Sequence, residues 1–65
     1  MDWFYYIWKN IEDGELFCVQ EHDLNSANEI AARELENFDD WDLIDEFLSD
    51  DAGDAYVDTL GLDVF

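Results

Sequence analysis

The sequence predicts a small α+β domain, with elements in the order β-β-α-β-α and a short antiparallel sheet packed on a helix. Three observations lead there. Two aromatic and β-branched runs, WFYYIWKN (3–10) and ELFCVQ (15–20), flank an Asp13-Gly14 turn signal. Residues 23–38 place apolar side chains at helical spacing. The chain has 65 residues, no proline, no internal repeat and no linker, so residues 1–65 form one domain with a modest core.

The first strand is apolar on both sides. Trp3, Tyr5 and Ile7 lie on one face, and Phe4, Tyr6 and Trp8 on the other. One face is expected to pack on a helix. The other is covered by the C-terminal segment or, as the alternative, serves as a homodimer contact. The helix of residues 23–38 starts at a cap, Asp23 or Asn25, and Ser26 with Glu29 has capping-box spacing. Its stripe is Leu24, Ala27, Ala31, Leu35 and Phe38, widened by Ile30. Glu29 and Arg33 form an i,i+4 pair.

The stretch DDWDLIDEFLSDD (39–51) is harder to read. Periodicity alone favours helix, because Trp41, Leu43, Ile44, Phe47 and Leu48 fall on one broad arc. Architecture favours strand, because a lone hairpin is marginal and charges suit an edge strand. We read a strand over residues 41–47, which places Asp45 on one face with Leu43 and Phe47. A short helix follows, capped by Ser49 or Asp50, with Ala52, Tyr56 and Leu60 inward and Gly61 ending it. Gly53 weakens that helix by about 1 kcal/mol. The terminal LDVF docks on the domain or frays.

Charge dominates the composition. Nineteen acids face only Lys9 and Arg33, a net charge of −17. Residues 1–32 carry −6 and residues 33–65 carry −11. Two like charges about 7 Å apart repel by roughly 0.6 kcal/mol in water, and salt near 0.15 M screens beyond about 8 Å. High net charge is also a signature of disorder, but 17% aromatic residues argue for a core. Nucleic acids and anionic membranes would repel such a surface, so direct binding to either is excluded. Membrane spans and a secretory leader are not expected. One cysteine, Cys18, rules out an intrachain disulfide and fits a reducing cytoplasm.

The residues do not assemble a known chemistry. His22 is the only histidine, beside Glu21 and Asp23, and reads as a surface residue. One Cys and one His make no zinc site. Asp40, Asp42 and Glu46 lack the central glycine and final glutamate of a calcium loop. No cofactor, no metal and no enzymatic activity are expected.

What remains is an acidic array on an anchored backbone. Carboxylates three or four residues apart on a helix have Cβ atoms about 5–6 Å apart. Splayed outward, they approach the spacing of phosphates along a nucleic-acid strand. The candidate contact residues are Asp39, Asp40, Asp42, Asp45, Glu46, Asp50, Asp51, Asp54 and Asp58, with Asp50, Asp54 and Asp58 as one helical stripe and Trp41 and Phe47 as supports. On the segment ENFDDWDLIDEFLSDDAGDAYVD (36–58), the absence of proline and the near absence of Lys and Arg, the chain resembles the small acidic DNA-mimic inhibitors of phages and mobile elements. These include anti-restriction proteins, anti-CRISPR proteins and uracil-DNA glycosylase inhibitors. The resemblance implies a basic nucleic-acid-binding partner: a host defence nuclease, a CRISPR effector with its guide RNA, or a repair enzyme. Inhibition would be steric, by occupation of the groove that takes DNA. Two alternatives stay open. One is an acidic binder of another basic protein, such as an antitoxin. The other is a solvated acidic surface suited to a high-salt habitat.

Overall fold

The structure, a computed structural model, describes residues 2–65. Its elements are β1 (Phe4–Asn10), β2 (Leu16–Glu21), α1 (Leu24–Glu34), a 3-10 turn (Phe38–Asp40), β3 (Trp41–Leu48) and α2 (Asp51–Leu60). The order is β-β-α-β-α, and the three strands form one antiparallel sheet in the order β2-β1-β3. The aromatic strand β1 is therefore central, which suits its apolar character on both faces. Tyr5, Tyr6, Ile7 and Trp8 are each 6% exposed or less.

The two faces have different covers. Tyr6, Trp8, Phe17 and Val19 pack with Ala27 and Ala31 of α1. Tyr5, Ile7 and Cys18 pack with Val57 of α2, and Phe47 and Leu62 close over them. Coverage from within the chain thus occupies both faces of β1 and leaves none of those four side chains free for a homodimer contact.

The β1–β2 connection uses more than the Asp13-Gly14 pair. Asn10 N–H donates to the Glu15 carbonyl at 2.8 Å, closing the loop. The Asn10 side-chain oxygen accepts from the Glu12 amide at 2.8 Å, and Asp13 accepts from the Glu15 amide at 2.8 Å. Gly14 supplies the positive φ of 79° that the return requires.

Asp23 is the α1 cap and accepts the Ser26 amide at 2.7 Å. That bond holds its carboxyl below the usual carboxylate range. The Ser26–Glu29 capping box is therefore not what starts the helix. The expected Glu29–Arg33 pair is also replaced: Arg33 lies 3.8 Å from Glu34 instead. The helix stops sooner than expected, at Glu34, and Leu35 is already extended. Asn37 then takes a left-handed φ of 53°, which an Asx residue tolerates well. The break does not cost the core its residues, because Leu35 and Phe38 still pack against the α1-side cluster.

Residues 41–48 are a strand, and the sheet decides it: a third strand pairs all along β1. The pairing carries a bulge. Ile7 pairs with Asp45 and Trp8 with Leu43, so Ile44 is the extra residue. The bulge corrects the expected face assignment. Asp45 and Phe47 lie on the α2 side with Ile7 and Tyr5, whereas Leu43 lies on the α1 side with Trp8. Ile44 itself is 52% exposed.

Helix α2 is turned relative to its expected orientation. Gly53 and Val57 are its buried residues, while Tyr56 and Leu60 are exposed and Ala52 faces outward too. Gly53 explains the turn. A Cβ at that position would stand 2.3 Å from the Leu48 carbonyl oxygen. Only glycine allows α2 to sit this close to the end of β3. The tail beyond α2 docks. Val64 bridges Cys18 in parallel, Phe65 N–H donates to the Cys18 carbonyl at 3.0 Å, and Gln20 N–H donates to the Phe65 carbonyl at 2.9 Å. The Phe65 ring stacks on Phe17 at 4.7 Å.

Candidate functional site

The tail matters for the site because it covers the outer edge of β2. The sheet's other edge, β3, has no such cover among the described residues. This edge carries Asp42, Asp45 and Glu46, and it lies between the acidic 3-10 turn and α2. Nine candidate carboxylates are thereby placed on one continuous stretch of backbone, each of them in regular structure or at a cap.

Their roles differ. Asp39 is exposed, while Asp40 is half-buried and its backbone carbonyl accepts the Ile11 amide at 2.9 Å. Asp42 pairs across the sheet with Lys9, the lone cation of the strands. Asp45 is half-buried on the α2 side and accepts the Glu46 amide at 2.9 Å. Glu46 points to the α1 side, opposite Tyr6. Burial, with the Glu46 charge next in weight, raises the pKa of the Tyr6 phenol.

The expected stripe Asp50, Asp54, Asp58 is not three equivalent displayed groups. Asp50 precedes the helix as its cap and accepts the Gly53 amide at 2.8 Å. Asp54 accepts the Tyr5 hydroxyl, and that bond raises the Tyr5 pKa. With Gly53 and Val57 facing the sheet, the arc turned away from it holds Asp51 and Asp58, with Asp54 at its flank. The stripe of the folded protein is thus Asp51, Asp54 and Asp58, with Asp50 set apart at the helix start.

Trp41 and Phe47 support the array from opposite sides. Trp41 packs edge-on against Phe17 at 6.4 Å on the α1 side. Phe47 packs on Tyr5 at 5.5 Å and on Tyr56 at 5.4 Å on the α2 side. Between the end of β3 and the start of α2 lies an open groove of about 440 Å³. Asp45 and Asp50 stand on it, and Phe47 and Tyr56 line it. The groove was missed in the sequence, since Tyr56 reads there as an inward residue.

No group of three or more His, Cys, Asp or Glu suited to a metal ion occurs among the described residues. Among them, no helix is long and apolar enough to cross a membrane. His22 packs against Trp3 with ring centroids 3.8 Å apart and planes tilted by 35°, and its Nδ1 lies 2.8 Å from the Asp2 carbonyl. Cys18 is fully buried and its thiol is pushed up to about 11 by burial.

Fold and site together define a small acidic α+β domain with one open, carboxylate-bearing sheet edge. Compared with protein-family models, curated proteins and solved structures, the chain matches none.

Proposed function

We propose that this protein is a DNA mimic that occupies the basic nucleic-acid-binding groove of a defence nuclease or of its guide-RNA complex, in the manner of anti-CRISPR and anti-restriction proteins. The observation that carries the reading is the fixed backbone beneath the acids. Asp39, Asp40, Asp42, Asp45, Glu46, Asp50, Asp51, Asp54 and Asp58 sit on a 3-10 turn, a paired strand and a capped helix. A rigid array loses little ordering entropy on binding, unlike a floppy acidic tail. Complementary charge would speed association and make it sensitive to salt. The open β3 edge and the scarcity of neighbouring cations favour a cationic partner.

The test has two stages. Proteins captured by the immobilised chain from a bacterial lysate are identified, and the captured protein is then offered labelled duplex DNA. The expected result is mutual exclusion, with affinity for the chain falling steeply between 50 and 200 mM salt (a range over which phosphate-type contacts lose about 10³-fold or more). A captured protein that holds the chain and DNA simultaneously overturns mimicry. It would leave the second reading, an acidic binder of another basic protein such as a toxin.

A further inference from the structure

We infer that the groove between β3 and α2 is a receptor for an arginine side chain of the basic partner, an inference that rests on the reading above only for the partner's charge. Four features of the groove favour this occupant. Its wall is aromatic: Phe47 and Tyr56 meet edge to face, and Tyr56 leaves 47% of its surface open. The wall is braced from behind, because Tyr5 packs on Phe47 and its hydroxyl is tied to Asp54. Two carboxylates, Asp45 and Asp50, come to the groove from different elements. Each uses Oδ1 on a backbone amide, and neither Oδ2 accepts a hydrogen bond among the described residues.

The charges are complementary to a cation, and among the described residues no basic side chain supplies one. Lys9 is opposite Asp42 on the sheet, and Arg33 lies beside Glu34 on α1. Neither lines the groove. The α2 N-terminus would ordinarily disfavour a cation, but Asp50 already accepts the Gly53 amide there and brings a full negative charge. An aromatic face beside carboxylates suits guanidinium better than ammonium. Guanidinium is planar, weakly hydrated, stacks on rings and presents a fork of donors to carboxylate oxygens.

The experiment is an amide NMR titration of the full chain with the capped peptide acetyl-Gly-Arg-Gly-amide at 20 mM salt. Its lysine and citrulline counterparts are run alongside. Citrulline keeps the shape of arginine and removes the charge. The expected result is shift changes centred on Ala52, Gly53 and Tyr56, larger for arginine than lysine and absent for citrulline. Tyr56→Leu keeps apolar bulk and loses the aromatic face, and should weaken arginine binding about two- to fivefold. Glu29→Gln, on α1 and across the sheet from the groove, should leave it within twofold. Equal shifts with citrulline, shifts spread evenly over the acidic residues, or unchanged affinity in Tyr56→Leu overturn the proposal. No protein partner enters this titration. Failure to exclude DNA therefore sinks the mimic reading alone, and failure here sinks the groove alone.

Discussion

Replacing Gly53 by alanine tests the seating of α2, on which half of the candidate site depends. In an exposed helix interior, Gly→Ala stabilises by about 1 kcal/mol. Here the added Cβ would meet the Leu48 carbonyl oxygen at 2.3 Å, Phe47 Cδ2 at 3.2 Å and Asp50 Oδ1 at 3.4 Å. The first of these is backbone and cannot swing away. The helix must lift until 2.3 Å becomes at least 3.0 Å, which disturbs the Asp50 cap and the packing of Val57 together. Overpacking of this kind costs about 1–3 kcal/mol. A backbone clash belongs at the upper end, so the net loss after the propensity gain is about 2 kcal/mol. A domain of this size has roughly 3–5 kcal/mol in all. Urea unfolding followed by tryptophan fluorescence reads the change, since Trp8 is buried at 2% exposure. With a slope near 1 kcal/mol/M, the midpoint should fall by about 2 M. A Gly53→Ala protein as stable as the parent, or more so, would refute the close approach of α2 to β3.

Other outcomes follow from the same contacts. Tyr5→Phe removes the hydroxyl donor to Asp54 and should cost about 1 kcal/mol in urea unfolding. The Tyr5 pKa is raised in the fold by that bond, so its contribution is fully present below the unfolded value near 10 and lost as pH rises through the folded one. Alkaline unfolding should accordingly be shallower in Tyr5→Phe than in the parent. Asp50→Asn combined with Asp54→Asn and Asp58→Asn keeps acceptors for the Gly53 amide and the Tyr5 hydroxyl while removing three charges. It should leave the fold as stable or more stable, and weaken binding of the basic partner; unchanged binding would remove these residues from the contact surface. Cys18 should react slowly with thiol reagents because it is fully buried with a raised pKa. Deleting residues 62–65 strips the tail from β2 and should speed that reaction at least tenfold, and an equal rate would show that the tail does not cover Cys18. Thermal stability should rise from 20 to 500 mM sodium chloride, as screening relieves repulsion among seventeen net negative charges.

The local chemistry of this chain carried much of its fold. The aromatic run of β1 is apolar on both sides because it becomes a central strand with a helix on each face. Asp23, Gly61 and the Asp13-Gly14 turn mark element ends by rules that act within a few residues, and those ends are legible without a partner element. Tertiary contacts decided the rest. The bulge at Ile44 reverses the facing of everything before it, so Trp41 and Phe47, six positions apart, support opposite faces. Nothing local announces it, because a bulge is a property of two strands in register. Gly53 reads as a weak point in a helix, and only the nearby Leu48 carbonyl shows it to be the point of contact. That contact rotates α2, takes Asp50 and Asp54 into structural hydrogen bonds, and turns Tyr56 out to line a groove. Spacing along one helix defines which carboxylates are neighbours. Which way they face is set by the surface the helix lies on.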